Sequence, residues 1–319
     1  MRSTWVVNPF SQKRGADFSM PHLSNDELPI AHSPQRVSGM KVPDGLPLPA
    51  EPNLEIETSK DAWRQTGFLM KKEWDLIQLS LNLSTALVKT GYTPSARSMI
   101  MAGYASVWSR SLLTLADAAG LVRGGSYQTA MPLIRQSIEL AAAHRGLVDE
   151  IDEWKRWTHE AFASHAETKS TEIGIGGYFA GSVIAEDPVM KIIYRASSDF
   201  ARPNFGPTSL FVANEASHEK YPLHFADRSF HLGWTQLLLG WILNVTGLLL
   251  ETGLSQTHEF PADDVLKNKI SQHLDNSRKV TSDENQCRLK EWIDSDNRKR
   301  YIISNFRRQS TDAAIKLLI

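Results

Sequence analysis

A long uncharged run in the C-terminal half limits what this chain can fold into. From Ser229 to Leu250 there is no Lys, Arg, Asp or Glu, and Gly233, Gly240 and Gly247 recur at a spacing of seven residues. A spacing of seven keeps the glycines on nearly one face of a helix, where a second backbone can approach closely. Such a helix lies in a core or at a subunit interface, or it crosses a membrane.

Polar side chains within this run favour a buried helix over a membrane span. No second segment is comparably apolar, and four polar residues interrupt this one: Thr235, Gln236, Asn244 and Thr246. We therefore predict a central buried helix over Asp227 to Leu250, or a helix at a dimer seam, and no membrane association. The glycine face of this helix is one candidate surface for self-association.

The overall composition excludes several classes of protein. The net charge of −1 excludes a general electrostatic attraction to nucleic acid or anionic membranes, so any such binding needs a local patch. The single cysteine, Cys287, rules out an internal disulfide and is typical of a reducing compartment. Met1 to Phe10 lack a long apolar segment, so no signal peptide is expected. We predict a cytoplasmic protein.

Prolines set the first part of the chain apart. Eight of the 15 prolines lie between Pro9 and Pro52, where no helical period is present. Proline fixes φ and removes a backbone donor, so residues 1–58 are predicted to form an extended arm. Its apolar residues, such as Trp5 and Phe10, favour an arm that lies across its own domain or a neighbouring subunit over a free tail. The arm is the second candidate for self-association.

Helical signals dominate from Ser59 onward. Capping residues, first-turn prolines and terminal glycines divide this region into helices, and no segment alternates long enough to indicate a sheet. The fold class predicted is all-α, an irregular helical bundle over 59–319. The predicted helices are Ser59 to Gly91, Thr93 to Gly124, one from Ser126, Ile151 to Glu172, Pro188 to Phe200, Asp227 to Leu250, and C-terminal helices within 262–319.

One helix carries a charged pair in an apolar setting. Arg135 and Glu139 are four residues apart in LIRQSIELAAA, and therefore share a helical face. A partly buried ion pair is costly unless other groups complete it, and YRASSDFARPN is the best partner segment. We predict a polar centre that either binds a phosphate or carboxylate or only ties the bundle together. Its members are Arg135, Glu139, Tyr194, Arg195, Ser197, Ser198, Asp199, Arg202 and Asn204.

These two segments, with Trp154 to Arg156 between them, resemble the HEPN-like helical domains. The resemblance is to a bacterial branch with an Arg and Glu helix followed by a Tyr, Ser and His-Pro or His-Gly segment, and it covers about 93–250. It implies a defence or toxin-like setting, and a nucleotide or RNA phosphate as ligand. Arg195 matches the family's Arg in position, but Arg202 stands where the family's His would be. That departure favours binding over RNA cleavage, and no cofactor is expected.

A metal site is an alternative interpretation. Glu215 and His218 have the spacing of a carboxylate di-iron bundle, and Asp227 and His231 lie four residues apart. A di-iron site of that type needs two Glu-x-x-His motifs, and only one is present. A helical metalloenzyme therefore stays the less favoured of the two functions, with solvated or capping histidines as the plainer explanation.

A basic stretch near the C-terminus is a third candidate. Residues 298–308, RKRYIISNFRR, contain five basic residues, no acidic ones and two aromatic rings. Phosphate contacts and stacking rings are typical of single-strand binding, whereas a terminal basic helix is more often a solvated face or a subunit contact. The candidate nucleic-acid residues are Arg298, Lys299, Arg300, Tyr301, Arg307 and Arg308.

Together, these patterns predict a non-catalytic binding protein that forms a homodimer or larger assembly. Its expected ligand is a nucleotide or RNA phosphate held by the polar centre. The alternatives are the helical metalloenzyme and a structural subunit that assembles without a ligand.

Overall fold

A computed structural model describes residues 36–53, 55–147, 175–213, 216 and 218–318. Within them the chain is mainly helical, as predicted. The helices are α1 Glu57–Leu69, α2 Lys71–Thr90, α3 Met99–Arg123, α4 Tyr127–Gly146, α5 Ile175–Glu186, α6 Pro188–Ala201, α7 Phe205–Val212, α8 Leu232–Ser255 and α9 Asp264–Thr281. The strands are β1 Arg288–Ile293, β2 Lys299–Ser304 and β3 Leu317–Leu318. The helix predicted over Ile151 to Glu172 lies outside the described residues.

Side-chain caps fix where several helices begin. Asp187 Oδ1 accepts hydrogen bonds of 2.9 Å from the backbone N–H groups of Val189 and Met190, and Pro188 occupies the first turn of α6. Asp263 Oδ1 accepts from Leu266 N at the start of α9. Such caps satisfy helix donors that have no partner within the helix, which explains why the predicted starts of these helices were close.

Helix α8 forms the centre of the core. It packs on α2, α3, α4 and α9, and both of its tryptophans, Trp234 and Trp241, are buried. Its length and apolar composition would suit a membrane span, yet 72% of its most apolar window is buried inside the protein. The prediction of a central buried helix is confirmed, and the helix begins five residues later than predicted, because His231 is its N-cap.

The evenly spaced glycines of α8 have three different surroundings. A Cβ at Gly233 would lie 2.9 Å from the Phe306 ring, and one at Gly247 would make ordinary contact with Leu274 of α9. A Cβ at Gly240 would meet nothing within 4 Å. Two of the three positions therefore pack within this chain, and self-association through the glycine face stays a prediction.

The described part of the N-terminal arm lies against its own helices. Residues 36–53 contain no helix. The backbone N–H of Leu48 donates to Gln78 Oε1 at 2.8 Å, and Val37 N donates to Arg97 O at 3.1 Å. Asp44 pairs with Lys89 of α2 at 2.6 Å. The arm residues before 36, including Trp5 and Phe10, lie outside the described residues.

The prediction of C-terminal helices is wrong beyond α9. Residues 288–318 form an antiparallel sheet in the order β1-β2-β3. Tyr301 and Ile303 alternate toward the core, which is the period of a strand rather than a helix. The turn between β1 and β2 uses Asp294, whose Oδ1 accepts from the backbone of Arg298, and Asn297 with φ of 59°. This turn chemistry is typical of a hairpin.

Two glycines of α8 provide a matched test of this packing. At Gly253, which packs on the six-membered ring of buried Trp108, Gly253→Ala is expected to lower the free energy of unfolding by about 1–3 kcal/mol, because the methyl group overlaps that ring. Gly240→Ala should instead raise it by up to about 1 kcal/mol, since alanine favours helix and the site is open. Urea unfolding measures both, and equal effects would contradict the packing described.

Candidate functional site

The two segments predicted to form a polar centre meet in the structure. Helix α4 packs on α6, and Arg135 of α4 faces Tyr194 and Ser198 of α6. Arg135 Nε donates to Ser198 Oγ at 3.0 Å, and its Nη2 donates to Glu139 Oε1 at 3.1 Å and to Tyr194 Oη at 3.2 Å. We call these four residues, Arg135, Glu139, Tyr194 and Ser198, the arginine cluster.

Apolar packing and a second ion pair hold the two helices at this distance. On α6, Met190, Ile193 and Phe200 are buried, and Tyr194 and Ser198 lie beside them at helical spacing. Arg145 near the end of α4 pairs with the α6 cap residue Asp187 at 2.6 Å. The cluster is therefore positioned by two packed helices rather than by a loop.

The arginine cluster is organised but open to solvent. The side chain of Arg135 is 40% exposed and that of Glu139 is 35% exposed. The hydrogen bond to Tyr194 raises the pKa of Arg135 above its ordinary value, although partial burial opposes this and Glu139 adds to it. The Arg135 and Glu139 charges cancel, so the cluster offers guanidinium and hydroxyl donors beside a carboxylate acceptor, with no net charge.

Other predicted members of the polar centre lie elsewhere. Arg195 is exposed, and its guanidinium lies over the Tyr301 ring of β2, 5.5 Å from the ring centroid. Ser197 is buried and donates to the carbonyl oxygen of Tyr194 within α6. The exposed residues Asp199, Arg202 and Asn204 make no side-chain hydrogen bond or ion pair with the part of the chain that the structure describes. Arg195 and Arg202 are thus cations without a carboxylate partner there.

The basic stretch is largely neutralised by neighbouring carboxylates. Arg298 pairs with Asp294 at 3.1 Å and also with Asp296, Arg300 pairs with Asp294 at 3.3 Å, and Lys299 pairs with Glu291 at 2.9 Å. These acidic residues lie just outside the basic stretch, so the sequence pattern missed them. Tyr301 and Phe306 are buried, and neither ring is available to stack on a base. Arg307 donates to the carbonyl oxygen of Asn285 at 3.5 Å.

The residues proposed for a metal site have other roles or cannot be placed. Glu215 lies outside the described residues, and His218 is exposed. Asp227 Oδ1 accepts from the backbone and hydroxyl of Ser229. His231 is buried and its Nδ1 accepts from Trp234 N, which caps α8. Across the residues that the structure describes, no three His, Cys, Asp or Glu side chains come together as a metal site.

Three histidines are buried, and only one of them, His231, belongs to a predicted site. Burial lowers the pKa of His144 and of His231 to about 3 and that of His273 to about 4, because the charged imidazole loses its hydration. His273 Nε2 lies 2.7 Å from Ser80 Oγ, but both residues are buried. This pair therefore connects α2 to α9 and has no access for a substrate.

A groove at the edge of the sheet was not anticipated from the sequence. It has a volume of about 490 Å³ and lies between β1, α6 and α8. Four consecutive β1 residues, 288–291, line it, so it follows the strand edge rather than one face. Asp294 N donates to Arg298 O in the hairpin, so the backbone N–H and C=O groups of the even-numbered β1 residues face β2, and those of Leu289 and Glu291 face away from it.

Comparisons with family models, curated proteins and solved structures found no match to this chain. The resemblance to HEPN-like domains therefore stays a prediction, and its residues 154–156 lie outside the described residues. The arginine cluster is the candidate site that both the sequence and the geometry single out.

The buried histidines predict a loss of stability in mild acid. Their pKa values in the folded protein lie below the ordinary value of 6.5, so the unfolded chain binds more protons below pH 6.5 and is favoured as the pH falls. Each histidine should lower the free energy of unfolding by about 1.4 kcal/mol for every pH unit between about pH 6 and pH 4. Urea unfolding at pH 7, 6 and 5 measures this slope.

The contribution of one histidine can be isolated by substitution. His144 contacts Tyr104 and Trp108 through ring faces and edges, so His144→Leu should keep much of the apolar packing and reduce the slope by about one third. The exposed His218 serves as the control, since His218→Leu should leave the slope unchanged. A slope that is the same in all three proteins would contradict the assignment.

Proposed function

We propose that this protein is a non-catalytic binding protein whose arginine cluster holds a ribonucleotide, free or within single-stranded RNA. The single observation that carries the proposal is the state of Arg135. Three side chains from two helices fix its guanidinium, yet 40% of its side chain stays exposed. A binding residue has to be both oriented and accessible, and Arg135 meets both conditions.

The mixture of donors and acceptors in the cluster favours a ribose phosphate. Glu139 presents an acceptor for a sugar hydroxyl, as acidic residues do in many nucleotide sites, and Arg135 presents donors for a phosphate oxygen. A bare phosphate would be repelled by Glu139. Because RNA has a 2′-hydroxyl that can donate to Glu139 and DNA does not, we expect the cluster to bind RNA more tightly than DNA.

Two cations on α6 or just beyond its end support this ligand. Arg195 is the neighbour of Tyr194 in α6, and Arg202 follows the C-terminal end of that helix. Neither has a carboxylate partner among the described residues, so their charge is available for further phosphates. Arg202 also occupies the position at which the family resemblance places a histidine, which favours binding without cleavage.

The test compares RNA and DNA of one sequence. Fluorescence anisotropy with a labelled 12-nucleotide single strand should show tighter binding to RNA than to DNA, and weaker binding as salt rises. Arg135→Lys keeps the charge but loses the fork that contacts Ser198 and Tyr194, and should weaken RNA binding about tenfold, or about 1.4 kcal/mol. Arg202→Ala should weaken it by a comparable factor.

A control and a contrasting result define the outcome. Lys269→Ala removes an exposed cation from α9, which packs on α2 and α8, and should leave RNA affinity unchanged. Circular dichroism confirms that each variant is folded. Equal affinity for RNA and DNA, or affinity that depends on Arg307 and Arg308 but not on Arg135 and Arg202, would rule out the arginine cluster as the site.

A further inference from the structure

A second cavity lies beneath the N-terminal arm. Its volume is about 500 Å³, and it is bounded by arm residues 37–46 and by the facing sides of α2 and α3. From the arm, Val37, Met40 and Leu46 line it, and from the helices Val88 and Ala105 do so. Cavities of about 300–1,000 Å³ with mainly apolar walls are typical of small-molecule sites.

The arm spans this cavity without filling it. Both ends of the arm are attached to the helices, since Val37 N bonds Arg97 O and Leu48 N bonds Gln78 Oε1. Between these points its apolar side chains are only partly buried. These partly exposed apolar side chains favour binding of an apolar ligand, because contact with the ligand removes their surface from water.

The charge at the cavity is of one sign. Among the described residues that line it, Lys41 alone is charged, and it is exposed on the arm. No carboxylate of the described residues pairs with Lys41, although its neighbour Asp44 pairs with Lys89. An amphiphilic ligand that enters this site therefore meets a cation at the exposed side and an apolar wall inside.

We propose that this cavity binds an aliphatic carboxylic acid, with the carboxylate at Lys41 and the hydrocarbon tail between the arm and α3. Charge complementarity at Lys41 selects an acid over an amine or an alcohol of equal length. The apolar walls select for tail length until the cavity is filled. This site is separate from the arginine cluster, and the proposal does not rest on the function proposed above.

Isothermal titration of the full chain with octanoate, decanoate and dodecanoate tests the proposal. Affinity is expected to rise roughly fourfold per added methylene group while the tail still fits. Decylammonium should bind at least fivefold more weakly than decanoate, and decanol should lie between them. Absence of saturable binding for every acid, or equal affinity for acid and amine, would overturn the proposal.

Variants locate the binding to the cavity. Lys41→Gln should weaken decanoate at least fivefold and leave decanol unchanged, whereas Lys269→Gln, a change of the same kind on exposed α9, should affect neither. Ala105→Phe fills the apolar part and should abolish binding of both ligands, with Ala102→Leu as a milder second filling variant. Melting temperature and circular dichroism verify folding. Unchanged decanoate binding in the folded filling variants would also overturn the proposal.

Discussion

The burial of α8 is the constraint on which the rest of the structure depends. A helix with no charged residue from Leu232 to Leu250 is stable in water only if other elements cover it, and α2, α3, α4 and α9 do so. Two of its buried threonines form hydrogen bonds inside the core. Thr246 donates to Ser80, and Thr235 bonds Tyr127 and the carbonyl oxygen of His231. Burial of Tyr127 raises its pKa to about 12, so this phenol stays a neutral hydrogen-bonding group.

The start of α8 also determines where the candidate site is built. Trp234 contacts Phe200 of α6, Phe211 of α7 and Phe306 after β2, with ring centroids 4.6–5.2 Å apart. This aromatic cluster fixes the C-terminal end of α6 against the core. Because α6 is held there and also packs on α4, Tyr194 and Ser198 come within hydrogen-bond distance of Arg135. The arginine cluster is thus a consequence of packing around one tryptophan.

Part of this arrangement could be predicted because local chemistry specified it. The four-residue spacing of Arg135 and Glu139 gave their shared face, and Asp187, Pro188 and Asp263 marked helix starts. The sheet could not be found in this way. Its run from Tyr301 to Ile303 is too short to show a strand period, and its partner β1 was expected to be helical. Only pairing of β1 with β2 makes these residues alternate between core and solvent.

The sequence by itself determined that α8 is buried, where several helices begin and which polar residues share a face, because these properties follow from neighbours within a few turns. Only the tertiary structure decided which charged side chains form ion pairs and which do not. Asp294 and Glu291 neutralise the basic stretch through the hairpin, whereas Arg195, Arg202 and Lys41 have no carboxylate partner among the described residues. The physical reason is that a charged side chain is neutralised by an opposite charge within about 4 Å of it. The separation of two residues along the chain does not determine that distance.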